Sequence, residues 1–323
     1  MRAESRLHAD PVEETRTLTR SDGAINGRVK RGLKRLRALR PFNQVATSTV
    51  HALFSAMGRR SEFIIKHLHR VGDVRLALPN NRTLRLWSRG DDWVSNQVYW
   101  RGWDGYSLKR CLSLLSPRSM RTGNLRCFAY VGLFTLLTAH ANPDGRVYAF
   151  EPLPGVYERL RKNVALNRLD RVQCIKSAVG EIDGAAEFFH VPVELPTSSS
   201  PSYEFMCSAN NLTVSTVPII TLDRFVEQNK IDRVDLVKID TESTEPQVLR
   251  GMIKALRRDR PFIVCEVLGR GSERELEEAL RPIGYRYYHL TPDGPVFRER
   301  IEGHPEWLNY LFTILSPDEV AGL

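Results

Sequence analysis

The chain has 323 residues, 47 of them Lys or Arg and 38 Asp or Glu, for a net charge of +9, with 42% hydrophobic and 9% aromatic residues. That is enough apolar material for one substantial core with extensions, and it excludes a disordered tail protein and a disulfide miniprotein. The longest apolar stretches, near Ala129–Ala141 and Pro261–Leu268, fall short of the roughly 18 residues that a membrane-crossing helix needs. Cys111, Cys127, Cys174, Cys207 and Cys265 are scattered, with no Cys-x-x-Cys pair. They point away from a zinc site or a disulfide framework, so no metal is expected, and toward reduced thiols in a cytoplasmic protein.

Residues 1–80 carry 16 basic and seven acidic side chains, whereas 81–323 carry 31 of each, so the basicity is regional. Within Arg28–Arg40 seven basic residues stand without an acid, and Val29, Leu33, Leu36 and Leu39 recur at helical spacing up to Pro41. This predicts a narrow basic helix ended by Pro41, either a solvated extension or one suited to peripheral contact with an anionic membrane surface. Nucleic acid is not expected, because the rest of the chain is neutral and no reader motif occurs. A secretory signal is absent, and Glu4, Asp10, Glu13 and Glu14 argue against a transit peptide. Residues 1–85 are therefore read as a basic, partly helical extension and 86–323 as one domain.

From Arg146 onward, short apolar runs alternate with amphipathic stretches, the pattern of a mostly parallel sheet covered by helices on both faces. Arg146–Glu151 reads as a strand, Gly155–Leu169 as a helix, Arg171–Val179 as the next strand and Ala185–Val193 as a hairpin strand, followed by a Ser-, Pro- and Asn-rich loop over Glu194–Thr213. Val217–Thr221 leads into a helix over Leu222–Asn229, with Thr221 as its N-cap. Asp235–Asp240 is a buried strand, Glu245–Asp259 a helix, Pro261–Val267 a strand and Glu273–Leu280 a helix. Tyr285–Leu290 and Tyr310–Leu315 close the domain as late strands at an antiparallel edge.

Three acids stand at the carboxyl ends of separate predicted strands: Glu151, Asp240 and Glu266. In an open parallel sheet that edge binds ligands where strand order reverses, and an acid after the second strand suits the two hydroxyls of a ribose. Lys238 and Asp240 lie two apart and so share one face of their strand. A lysine buried there needs a partner, either Asp240 or Glu266. Asp240, Glu242 and Glu245 also precede a helix, where carboxylates are favoured whatever their role.

The block Gly132–Pro152, then Ser177–Gly180 (SAVG), Ile220–Asp223 (ITLD), Leu236–Gly251 (LVKIDTESTEPQVLRG) and Arg260–Val267 resemble the FkbM-type methyltransferases. Trp93–Tyr106 is similar to the segment such proteins place before their first strand. The resemblance covers roughly residues 90–290. It implies a class I, Rossmann-like sheet of seven strands with an antiparallel last strand, S-adenosylmethionine as donor, and methyl transfer to a hydroxyl of a sugar, glycolipid or polyketide-like small molecule. On the same footing Gly132 and Glu151 would hold the donor, Glu151 through its ribose. Ser177 and Ala178 would sit beside the adenine, and Asp240 or Glu242 would act as the base, with His190 a weaker candidate.

Two departures from the family pattern stand out. The first loop of the family reads acid-x-Gly-Ala-Asn-x-Gly, whereas Arg126–Gly132 here is RCFAYVG and keeps only Ala129 and Gly132. The surroundings are unusual too, with no acid between Asp104 and Asp144. A shifted reading frame over residues 106–130, or decay of this copy, would produce such a window. The alternative function is accordingly a catalytically impaired descendant serving as a binding or interaction module. The family glycine after Glu242 is Ser243, read as a competent helix cap. A nicotinamide-dependent oxidoreductase is disfavoured by the lack of a Gly-x-Gly-x-x-Gly turn.

Overall fold

The computed structural model describes residues 39–58, 60–78, 82–102, 132–193, 195–196, 199–207, 211–269 and 271–323, together with the backbone of 124–128. The basic segment as far as residue 38 lies outside these. The structure does show that Pro41 opens a helix rather than ending one. It stands in the first turn of α1 (Arg40–Met57), where a missing N–H removes no helical hydrogen bond. Ser61 then caps α2 (Glu62–His67) by accepting from Ile64 N–H.

β1 (Val71–Ala77) and β2 (Thr83–Arg89) pair as an antiparallel hairpin, with Val74, Leu76, Leu84 and Leu86 all buried. The division expected at residues 85 and 86 falls inside β2. The exposed edge of β2 is satisfied by asparagine side chains of a later helix: Asn163 and Asn167 accept from Trp87 N–H and Arg85 N–H at 2.7 and 2.8 Å. α3 (Trp93–Arg101) follows, capped by Asp92, whose carboxylate accepts from Ser95 N–H.

The strands of the main sheet arrive with helices between them. β3 (Asn124–Phe128) is followed by α4 (Leu133–Ala141), β4 (Arg146–Phe150), α5 (Pro154–Leu166) and β5 (Val172–Ile175). The run expected as one strand over Arg171–Val179 is split. Its second half is β6 (Ala178–Val179), which joins β7 (Gly184–His190), β8 (Ser199–Ser200) and, beyond α6 (Tyr203–Met206), β9 (Thr213–Ile220) in a separate four-stranded sheet. The segment expected as loop over Glu194–Thr213 therefore contains a strand and a helical turn. The chain returns through α7 (Leu222–Gln228), whose N-cap Thr221 accepts from Arg224 N–H, to β10 (Leu236–Ile239), α8 (Glu245–Arg250), α9 (Ile253–Asp259), β11 (Phe262–Glu266) and α10 (Glu273–Leu280). It ends with β12 (Arg286–Thr291), β13 (Gly294–Arg298), β14 (Asn309–Thr313) and α11 (Pro317–Ala321).

The main sheet runs β5-β4-β3-β10-β11-β14-β12-β13. Among the described residues it has eight strands where seven were expected. The additional one is the edge strand β13, which pairs antiparallel with β12, and β14 lies antiparallel to both of its neighbours. β3, β4 and β5 step outward in one direction and β10 and β11 in the other, so strand order reverses between β3 and β10. One face buries Val237, Ile239, Ile263, Cys265 and Phe312 under α7 to α10. The other buries Leu236, Val264, Leu290 and Leu311 with Ala139 of α4 and Val320 of α11.

The single helix expected over Glu245–Asp259 is broken at Gly251 because the backbone there meets another loop. A Cβ on Gly251 would lie 1.9 Å from the carbonyl oxygen of Gly180, and Gly251 O accepts from Asp223 N–H at 3.0 Å. Asp223 in turn caps α9 by accepting from Lys254 and Ala255 N–H. Replacing Gly251 by alanine must push two backbones apart and is expected to cost at least about 3 kcal/mol. A thermal melt coinciding with that of the wild type would show that the contact is slack.

Candidate functional site

Five parallel strands end along one rim, and the chemistry predicted from the sequence lies on it. In spatial order Ser177 follows β5, Glu151 follows β4, Gly132 follows β3, Asp240 follows β10 and Glu266 ends β11. The crevice left by the reversal lies between the Gly132 and Asp240 positions. Residues 129–131 of the divergent loop are outside the described residues, as are the side chains of 126–128.

Gly132 is the N-cap of α4, with φ +93°, a conformation that disfavours any side chain. A Cβ there would also lie 2.6 Å from Leu160 Cδ1. The position therefore requires glycine, which lets the start of α4 pack closely against Leu160 of α5.

Glu151 is 7% exposed. It is fixed by its own N–H, which donates to Ile175 O on the neighbouring strand at 3.0 Å. Among the described residues its carboxylate accepts one hydrogen bond, from Leu153 N–H at 2.9 Å. Burial pushes its pKa up to about 8, against the pull of that one bond. A carboxylate has room for about four donors, so among the described residues most of its accepting capacity is unused. That is the requirement for gripping a vicinal diol, and Glu151 fits the ribose of a nucleoside donor.

Ser177 is buried, and its hydroxyl donates to the carbonyls of Ala178 (2.8 Å) and Pro218 (3.1 Å), tying the end of β5 to β9. Ala178 packs with Leu153, Val156, Phe188 and Val217 beneath the chain that follows Glu151. Both positions shape the rim through backbone and packing, with the serine hydroxyl already occupied.

Across the crevice, Lys238 Nζ lies 3.1 Å from Asp240 Oδ2, which supplies the partner that a buried lysine requires. Burial pulls the lysine down, but the carboxylates of Asp240 and Glu266 more than reverse this and its pKa rises. Because Ile239 is in register with Cys265, Asp240 and Glu266 stand side by side on one face. Burial, and then the charge of Asp240, push the Glu266 carboxyl up to about 9. The Glu266 carboxyl is thus held in its acid form well above the ordinary carboxylate range, beside the Lys238–Asp240 ion pair. Asn309, opposite Glu266 on β14, continues the row. Nothing in the sequence pattern singled it out, because only strand pairing brings it there.

The turn after Asp240 is backbone-strained. Glu242 and Ser243 have φ of +54° and +79°, a region that costs non-glycine residues about 1–2 kcal/mol each. The serine replacing the family glycine thus adopts the conformation glycine prefers, and neither Ser243 nor Thr244 caps α8 through its side chain. The turn is held instead by Glu245. Its Oε1 accepts from Thr241 N–H, Thr241 Oγ1 and Ser243 N–H, each at 3.1 Å, and burial raises its pKa. Ser200, fully buried on β8, donates to Glu242 O at 2.6 Å, so the four-stranded sheet buttresses the turn that presents Glu242. His190 is held on that sheet through Nε2 by Ser215 Oγ at 2.9 Å. It pairs with Ser199, next to the buttressing serine.

A family model described as the methyltransferase FkbM domain matches residues 126–312. Methyltransferase 1 of Beauveria bassiana is 26% identical over 137 residues, 38% of this chain and 55% of that protein. The hexuronic acid methyltransferase AglP of Haloferax volcanii is 28% identical over 121 residues, 38% of this chain and 46% of that one. The chain thus spans about half the length of the curated relatives it matches. Among solved structures, a methyltransferase FkbM from Methylobacillus flagellatus aligns with 69% of this chain and 55% of its own at 17% identity, with a TM-score of 0.40.

Proposed function

Because the chain belongs to the FkbM methyltransferase family and carries the α/β class I sheet described above, we propose that it transfers a methyl group from S-adenosylmethionine to a hydroxyl of a small molecule. Sugars, glycolipids and polyketide-like compounds are the acceptor classes. The likeness to a hexuronic acid methyltransferase favours a carbohydrate. The observation that carries the reading is Glu151, a buried acid at the end of the second strand that accepts one hydrogen bond among the described residues, across the switch point from the Asp240 cluster.

When bound, the donor supplies an electrophilic methyl on a sulfonium. Everything else is positioning and proton transfer by the chain. Glu151 would accept from the two ribose hydroxyls, Gly132 would hold the donor from the start of α4, and Ser177 and Ala178 would form the wall beside the adenine. Asp240, paired with Lys238, takes the proton of the acceptor hydroxyl, and Glu242 lies in the adjoining turn as the second acid. Holding the two reactants in line accounts for much of the acceleration, and a positioned base for a further factor of roughly 10²–10⁴.

The test is incubation of the chain with methyl-labelled donor and a panel of free and lipid-linked sugars. Label that remains attached through mild alkali, as a methyl ether does, is expected. Alkali-labile label would assign a carboxylate acceptor and overturn the hydroxyl reading. The non-catalytic alternative rests on the departures at Arg126–Val131, and it would be favoured by the absence of both transfer and donor binding.

A further inference from the structure

The outer face of α1 is unlike the rest of the surface. Pro41–Gly58 contains no Lys, Arg, Asp or Glu. Its inner face is fully engaged. Asn43 donates to His69 O and accepts from Val71 N–H, both at 2.8 Å. The Arg70 guanidinium donates to Gln44 O and Thr47 Oγ1, and Phe54 packs on Trp100. Outward, Phe42, Val45, Leu53 and Met57 recur on one side of the helix and are 51–68% exposed, with Phe63 of α2 at 72%. Scattered exposed apolar residues are normal, but a contiguous stripe without a charge marks an interaction surface.

The flanking charge identifies the occupant. In sequence Arg28–Ser61 carries nine basic residues and no acid, and in the chain that follows α1 Arg60 and Lys66 are exposed, with Glu62 between them paired to Arg101. We propose that α1 docks this protein on an anionic lipid bilayer, the apolar stripe entering the headgroup–acyl boundary with Arg60 and Lys66 among the headgroups. The inner-face bonds hold the helix flat on the body of the protein, and no helix among the described residues is long and apolar enough to cross a membrane. Nucleic acid would satisfy the charge but not the stripe. A second copy would satisfy the stripe but bring like charges together. A bilayer containing acidic lipid satisfies both.

The full chain is sedimented with extruded vesicles of phosphatidylcholine alone or with about 30 mol% phosphatidylserine, at low and high salt. Co-sedimentation with the acidic vesicles only, weakened by salt, is expected. The double variant Phe42→Ser, Leu53→Ser should bind about tenfold or more weakly with an unchanged thermal melt, since both side chains are exposed. Wild-type protein remaining in the supernatant, or a double variant that pellets as well as the wild type, would overturn the proposal. So would a wild-type dimer in light scattering that the double variant abolishes, which would assign the stripe to a second copy.

Discussion

Replacing Asp240 by asparagine is expected to lower kcat by about 10²–10⁴-fold while changing donor affinity by less than about threefold. The substitution keeps shape and an oxygen for Lys238 Nζ but removes the capacity to take a proton. The fold should tolerate it, because Glu266 stands beside the same lysine. With the charge of Asp240 gone, a main cause of the high Glu266 pKa disappears, and Glu266 can ionise as the counterion. A buried lysine left with no partner would cost several kcal/mol, so an intact melting curve in Asp240→Asn is itself part of the expectation. Unimpaired turnover would move the base to Glu242.

Replacing Glu151 by alanine should weaken donor binding by about 10²–10⁴-fold, the equivalent of two hydrogen bonds to a charged group at roughly 1.5–3 kcal/mol each. The pH dependence follows from the raised pKa. In the free protein Glu151 is largely a neutral acid below about pH 8, whereas two donating hydroxyls favour the carboxylate, so binding releases a proton. Donor affinity should therefore rise with pH by up to about tenfold per unit below 8, then flatten above it. Glu151→Gln, which cannot ionise, should lose that slope, and a flat wild-type profile would place the ribose elsewhere. The same shift makes the free fold less stable as pH rises from the ordinary carboxylate range toward 8. The deficit is one that bound donor would remove.

Local signals located most of the site and long-range ones supplied the rest. Arg146–Phe150 and Leu236–Ile239 were legible as strands because both are apolar runs bounded by turn residues, and their terminal acids were legible with them. The Lys238 partner followed from the two-residue period of a strand. Proline ends one helix as readily as it begins another, so at Pro41 the choice depends on Asn43 and Arg70 anchoring the chain that follows. The break at Gly251 is set by Gly180, 71 positions away. Ser200 reaches the rim through its hydroxyl bond to Glu242 O, 42 positions away, and Asn309 through strand pairing with Glu266, 43 positions away. The apolar alternation of β13 is too weak to distinguish from loop, and its place at the sheet edge requires little more. Glu245 was noted for its position at a helix start, yet its work is to hold a strained turn, which no sequence spacing reveals.

Calorimetric titration of the unmodified chain with S-adenosylmethionine at about pH 8 is the most direct measurement. Saturable one-to-one binding in the range of about 1 μM to 1 mM, competed by S-adenosylhomocysteine, is expected if Glu151 and Gly132 form the donor half of the rim. No heat at millimolar donor would contradict it, and would leave the sheet as a scaffold whose carboxylates serve another ligand.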